Sequence, residues 1–298
     1  MQIQLDDVRL FVRIVDLGTL SAAARERDAP VSQVTRSLVR LERACAVRLL
    51  HRTTHGLSLT DEGDTFLAYA RTLLDATAQL QADLSGKISG PSGWVRVSVS
   101  PLLAEAVIVP SLNALYQRHP DIHVDIAADD RIVDMSREGI DVAIRTGTTA
   151  SETLVARRIG QMTRSLYAAP AYAERFGLPT SVDDLPRHRL ISYSVSPALN
   201  HWTIADGAQR REFLAQGHTR TDNSAIVLAL VRRGVGIGRL SDVVARRLVA
   251  SGELLPVMAE QASTEPVPMY AVMLPQRHRL PKIRACIDHW ADWMAADR

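Results

Sequence analysis

The sequence predicts an α + α/β chain: a small helical unit with a two-stranded wing, one long helix, and a larger body of alternating strands and helices. Three observations carry this. Residues 30–42, PVSQVTRSLVRLE, keep Val31, Val34, Leu38 and Leu41 at the spacing of a buried helix stripe, a three-residue turn after another short helix. From Thr60 to about Ser85 the apolar residues hold helical spacing over roughly six turns. Past SGKISGPSG (85–93) the pattern changes to short alternating strands separated by helical stretches.

The first helix is predicted from Leu5, Val8, Phe11, Val12 and Val15, with Gly18 as its stop. The second, LSAAARERD, carries Ala22, Ala23 and Ala24, small enough for another helix to approach closely. After Asp28-Ala29-Pro30 the third helix begins, with Pro30 tolerated at a first turn because its missing N–H has no partner there. Two helices joined this tightly form a helix-turn-helix, whose second member enters the DNA major groove. Opposite the apolar stripe stand Gln33, Arg36, Ser37 and Arg40, side chains that hydrogen-bond base edges and phosphates. An ordinary amphipathic surface helix shows the same pattern; the surroundings separate the two readings. Between Gly18 and Thr60 stand arginines 25, 27, 36, 40, 43, 48 and 52 against Glu26, Asp28 and Glu42, a local basic excess in a chain of net charge only +2. Val47, Leu49 and Leu50 read as buried, and RTTHGLSLT alternates around a His-Gly turn as a small wing, placing Arg52, Thr53 and His55 near the backbone or minor groove.

GTLSAAARERDAPVSQVTRSLVRLE…VRLLHRTTHGLSLTDEG resembles, without a gap over about sixty residues, the amino-terminal domain of the LysR-type transcriptional regulators. The resemblance implies that Ser32, Gln33, Thr35 and Arg36 face the groove while Arg52 and His55 belong to the wing. The chain departs from the family pattern at Arg27, where a buried leucine is usual, at Pro30, where a serine is usual, and at Cys45-Ala46, where Leu-Gly is usual.

In the long helix, Phe66, Leu67, Ala70, Leu73, Leu74, Thr77, Leu80 and Leu84 form one stripe that must be buried, either on its own chain or by antiparallel pairing with a second copy. It resembles the dimerisation helix of the same family. Beyond the linker, WVRVSVS, IHVDIAA and IDVAIRTG read as strands, and AVIVPSLNALYQRHP and DRIVDMSREG as helices, giving a largely parallel sheet. A second unit starts near RSLYAAPAYAERFG. It runs through RLISYS, the hairpin-like HWTIADGAQRREFLAQGHTRTDN, the helix SAIVLALVRRG and VGIGRLSDVVARRLVASGEL. PVPMYAVML then supplies a strand and PKIRACIDHWADWMA a terminal helix. DVAIRTG, LVARRIG, PAYAERFG and HRLPKIRACIDHW are similar to the CrgA-like subgroup of LysR effector domains, which implies a two-lobed α/β, periplasmic-binding-protein-like (type 2) effector domain. The expected organisation is a winged helix-turn-helix at 1–60, a dimerisation and linker helix with hinge at 61–92, and an effector-binding domain at 93–298. Its first lobe takes about 93–163 and 267–298, its second about 164–266.

Catalysis is not indicated. GVGIG (234–238) follows a helix instead of opening one after a strand, so a tight turn explains its glycines better than a dinucleotide site. Ser98 and Ser100 lack a nucleophile-elbow context, and Asp129-Asp130 and Asp183-Asp184 read as loop ends. Nine scattered histidines and two cysteines, Cys45 and Cys286, form no metal-ligand pattern, so neither metal nor cofactor is expected. No cationic start with a cleavage site and no membrane-length apolar run is present, and a cytoplasmic location without membrane contact is expected.

In open α/β sheets ligands sit beyond strand carboxyl ends and against helix N-termini. In the resembled fold Ser100, Pro101, Arg145, Thr146, Gly147 and Asn223 face the cleft between lobes. Ser100 and Thr146 are expected to hydrogen-bond a small effector, and the backbone near Asn223 to cap an anionic group; Arg145 pairs either with an effector carboxylate or in a structural salt bridge. The whole reads as a ligand-responsive LysR-type regulator of double-stranded DNA, a homodimer assembling to a homotetramer. Its rivals are a cytoplasmic small-molecule-binding protein or enzyme with a helical N-terminal domain, and a ligand-independent regulator of the same family.

Overall fold

The computed structural model describes residues 3–53, 56–84, 90–147, 154–206, 209–262, 264–275 and 277–296. The chain divides into two units, Met1–Ser89 with Asp134–Ile140, and Gly90–Val133 with Asp141–Arg298.

The first unit opens with α1 (Leu5–Leu17), α2 (Leu20–Glu26) and α3 (Val31–Cys45). Asp6 and Asp7 sit in the first turn of α1, where the helix dipole favours negative charge, and Gly18 ends the helix at φ +72°. Thr19 caps α2 by accepting the Ala22 N–H at 3.1 Å. Pro30 serves as the N-cap of α3, one place earlier than expected, and its carbonyl receives the Gln33 N–H at 2.9 Å. Val34, Leu38 and Leu41 are buried against Val8, Phe11 and Val12 of α1 and Ala23 and Ala24 of α2. Each fully buried side chain of this size contributes about 1.5–3 kcal/mol. Two expected members of the core lie outside it: Val31, at the protruding end of α3, and Val47, in the turn after it, are exposed.

That turn is left-handed. Ala46 adopts φ +60° and sends its N–H to Arg43 O, while Val47 N reaches Glu42 O at 3.3 Å. A Cβ in this region is strained. Ala46→Gly therefore raises the stability of the unit, by about 0.5–1 kcal/mol, measurable as a higher urea midpoint.

Strands β1 (Leu50–Thr53) and β2 (Gly56–Leu59) pair antiparallel, from Leu50↔Leu59 to Thr53↔Gly56. Helix α4 (Asp61–Leu84) follows. Thr60 ties its start down: its hydroxyl donates to Arg48 O at 2.6 Å and accepts from Gly63 N at 2.8 Å. Gly63 lies so close to β1 that a Cβ there would stand 2.0 Å from Leu49 O. This explains the Thr-Asp-Glu-Gly sequence at the junction. Phe66 meets Phe11 edge-on with ring centroids 5.3 Å apart, and Leu67 and Ala70 complete the core.

The second unit begins with β3 (Gly93–Val99), then α5 (Pro101–Leu103), a π-turn (Ala104–Ile108) and α6 (Val109–Arg118). The expected single helix thus contains one wide turn, just before Pro110, which has no N–H to continue the regular ladder. Then come β4 (Ile122–Ala128), β5 (Val142–Thr146), β6 (Val155–Met162) and β7 (Arg164–Ala168). The helix expected at DRIVDMSREG is absent. Asp134 Oδ1 instead accepts the N–H groups of Ser136 and Arg137 at 3.0 and 3.1 Å, closing a turn. Next are α7 (Pro170–Phe176), β8 (Ile191–Tyr193), β9 (His201–Asp206), β10 (Gln209–Leu214), β11 (Thr219–Thr221) and α8 (Ser224–Arg232). The chain ends with β12 (Gly238–Ser241), α9 (Asp242–Ala250), β13 (Leu255–Val257), α10 (Ala259–Ala262), β14 (Val267–Met273) and α11 (Pro281–Ala296).

The first lobe is the five-stranded sheet β4-β3-β5-β14-β6, in which β14 alone runs against its neighbours. Val95, Val97, Ile144, Met269 and Trp290 lie in its core. Burial pushes the Cys286 thiol up to about 12, so it is inert packing. At the entry to β5 Asp141 accepts the Arg96 N–H at 2.8 Å and pairs with Arg277, both carboxylate and guanidinium being buried. The second lobe holds the antiparallel β12-β7-β13, the parallel pair β11-β8 and the hairpin β9-β10. Its GVGIG glycines make a turn: Gly234 has φ +68°, and a Cβ on Gly236 would lie 2.4 Å from Arg189 O. The chain passes between lobes twice, entering β7 at Thr163 and returning at Thr264, and the two passages are bonded to each other. Arg164 N donates to Thr264 Oγ1, and Thr264 N to Arg164 O, both at 2.9 Å.

Candidate DNA-reading face and effector cleft

In the first unit, burial of Val34, Leu38 and Leu41 turns the opposite side of α3 to solvent. Ser32, Gln33 and Arg36 are exposed there and Thr35 is half-buried, as a reading face requires. Arg40 behaves differently. Its Nε donates to Asp7 Oδ2 at 2.7 Å and its Nη2 to Oδ1, and these bonds raise its pKa. Asp7 is 3% exposed. Arg40, expected to face DNA, is exposed one turn beyond Arg36, and its fork ties the reading helix to α1. Arg27 is likewise bidentate on Asp6, at 3.1 Å through each nitrogen, so the residue that departs from the family's leucine is an exposed ion pair. Arg25, Arg36, Arg43 and Arg48 are exposed and have no ion pair among the described residues. Arg52 and Thr53 lie on β1 with side chains outside the described residues, and His55 lies wholly outside them.

In the second unit, contacts between the lobes occur at Thr146 and beside Asn223, two of the residues expected around the cleft. Ser100 caps α5, its Oγ accepting Leu103 N at 3.4 Å, and Pro101 starts that helix. Thr146 ends β5 and its hydroxyl accepts a bond from Arg164 Nη2 at 3.0 Å, a second-lobe arginine that the sequence did not single out. Gly147, at φ +92°, sends its N–H to Pro268 O at 2.9 Å. Arg145 donates to Ser98 O and Oγ at 3.3 and 2.9 Å and to Ile144 O. Asn223 is the N-cap of α8, its Oδ1 accepting Ala225 N and Ile226 N.

The anion at the start of α8 is the chain's own. Asp130 Oδ2 accepts the Ser224 N–H at 2.6 Å, and Ser224 Oγ accepts the Leu102 N–H at 3.3 Å, so this helix end joins the lobes. Tyr193 also bonds Asp130; burial first, then this carboxylate, raise the phenol's pKa. The helix end expected to hold an effector's charge is therefore already satisfied. Among the described residues no group of three or more His, Cys, Asp or Glu could hold a metal ion, and no helix is long and apolar enough to cross a membrane.

Residues 5–64 match the bacterial regulatory helix-turn-helix protein family, lysR type, and residues 89–295 match the LysR substrate binding domain. The chain belongs to the LysR family of transcriptional regulators. This LysR-type regulator is 31% identical to the probable HTH-type transcriptional regulator LtrA of Klebsiella pneumoniae, over 98% of its own length and 95% of the relative's. Its fold is similar to that of CrgA, a LysR-type transcriptional regulator from Neisseria meningitidis, with 27% identity, coverage of 98% and 99%, and a TM-score of 0.65. It is also similar to the full-length Vibrio cholerae virulence activator AphB, with 27% identity, coverage of 98% and 100%, and a TM-score of 0.59. As a LysR-type regulator it is a DNA-binding head joined to a two-lobed effector domain, and its relatives are regulators of transcription.

Proposed function

We propose that the regulator reads a roughly two-fold operator as a homo-oligomer, with Ser32, Gln33, Thr35 and Arg36 on base edges and Arg52, Thr53 and His55 on the backbone or minor groove. The observation that carries this is the exposed Gln33–Arg36 face on a helix whose opposite side, Val34, Leu38 and Leu41, is buried, with Arg40 tying the helix to Asp7 of α1. Pairing runs through α4. Tyr69, Leu73, Ala76 and Leu80 are exposed at 4–3–4 spacing, while Leu67 and Ala70 pack on their own chain. Two reading helices about 34 Å apart, or a multiple of it, then engage both half-sites together. Val109 and Tyr116, exposed on one side of α6, support a second contact that joins dimers into a tetramer.

A small effector sits between the lobes, against Ser100, Pro101, Arg145, Thr146, Gly147 and the start of α8 at Asn223. It acts by binding one lobe arrangement better than another. The output is regulation by binding alone, in the cytoplasm, without catalysis. A shift assay with the chain's own upstream DNA tests the reading. Affinity is expected to fall by about three orders of magnitude as salt rises from about 50 to about 200 mM, because Arg25, Arg43 and Arg48 of each head meet phosphates. Leu73→Glu is expected to weaken the complex and shift its stoichiometry to one chain. No preference over unrelated DNA would refute the assignment.

A further inference from the structure

Two charged groups in the second lobe have no counterion among the described residues. Arg164 opens β7 and Arg239 lies on the adjacent β12, in the register Arg239↔Leu166 and Ser241↔Arg164. Residues two apart on a strand share a face, so both guanidinium groups leave the same side of the sheet. Both side chains are half-buried. Arg164 bonds Thr146 Oγ1, at the end of first-lobe strand β5, and Arg239 Nη1 bonds the carbonyls of Leu199 and His201 at 3.3 and 3.0 Å. Neither has a carboxylate partner among the described residues. The acid that follows Ser241, Asp242, is spoken for: it accepts the Thr163 N–H at 2.9 Å and pairs with Arg246.

Two like charges withdrawn from water without an anion are costly, and the buried arginine of the first lobe, Arg277, does have its carboxylate. Burial first, and the neighbouring Arg164 second, lower Arg239 to about 10; burial also lowers Arg164. Negative charge is therefore wanted beside Arg164, where it reaches Thr146 of the first lobe, whereas the start of α8 already has it.

We propose that this cleft takes a small organic acid whose carboxylate lies between Arg164 and Arg239, with Thr146 orienting the first of them. This rests on the reading of the interlobe cleft as the effector site. A planar carboxylate presents two oxygens to such forks, and contact with both lobes at once makes the ligand favour the arrangement that brings Thr146 and Arg164 together.

The test is thermal unfolding and titration calorimetry of the full chain with succinate, benzoate, sulfate and the uncharged succinamide, all against chloride at equal ionic strength. At least one carboxylate is expected to raise Tm saturably, by about 2–4 °C. Arg164→Gln and Arg239→Gln should each weaken its binding about tenfold or more, and the lysine variants less. If a glutamine variant fails to fold, Thr146→Val takes its place and should weaken binding too. Equal stabilisation by succinamide, binding of sulfate alone, no response beyond chloride, or a carboxylate response unchanged in the arginine variants would each overturn the proposal. Ser100→Ala separates this proposal from the broader reading. A response lost there but intact in both arginine variants keeps the cleft and removes the arginine pair. A response lost only in the arginine variants supports the pair and removes Ser100.

Discussion

Arg36→Ala lowers operator affinity by about 10- to 100-fold while the unfolding midpoint of the protein stays where it was. A bidentate contact to a base edge is worth about 1–3 kcal/mol of discrimination, and a two-headed complex loses it at both half-sites. The side chain is exposed and has no ion pair among the described residues, so nothing in the fold depends on it. Gln33→Ala acts in the same direction and by a similar amount. Arg40→Ala provides the contrast: it removes the fork that holds buried Asp7 and therefore lowers the unfolding midpoint as well as binding. Fluorescence anisotropy with an operator duplex, beside urea unfolding, separates the two classes. Unchanged affinity in Arg36→Ala and Gln33→Ala would mean that DNA is read elsewhere.

Arg277→Ala destabilises the effector domain by about 3–5 kcal/mol, the largest single-residue effect on stability expected here. The substitution leaves the Asp141 carboxylate buried with its guanidinium partner gone, retaining the Arg96 N–H bond at 2.8 Å. Asp141 stands at the entry to β5 and Arg96 on β3, so the loss loosens adjacent strands of the first lobe. Arg277→Lys recovers part of the loss because it keeps the charge without the fork. Urea unfolding followed by tryptophan fluorescence reads this out, since Trp290 is fully buried in the same core. A midpoint equal to that of the parent chain would show that the pair contributes nothing.

Local signals made the helical head legible. The helix ends at Gly18 and Thr19 and the stripe Val34, Leu38 and Leu41 are written within a few residues of where they act. Val31 and Val47 misled because periodicity says which side of a helix is apolar, not how far the neighbouring helices reach along it. Residues 130–139 misled because Asp134 offers the backbone an alternative partner that a helical pattern does not reveal. The rest depended on long-range geometry. Nothing local tells Arg36 from Arg40; only the packing of α3 on α1 sets the second against Asp7, 33 positions away. Arg164 and Arg239 meet only because β7 and β12 are neighbours, and Asp130 reaches Ser224 across 94 positions. Effector chemistry is therefore the part of this protein least visible in its sequence.

The doubled passage between the lobes, where Arg164 and Thr264 bond each other in both directions, has a mechanical consequence. A single tether would let the halves drift apart or slide; two cross-linked ones act as the spine of a book. Rotation about that spine leaves its cross-links intact, while shear would have to break them. A small angular change at the fold line is thus a large displacement at the far edges.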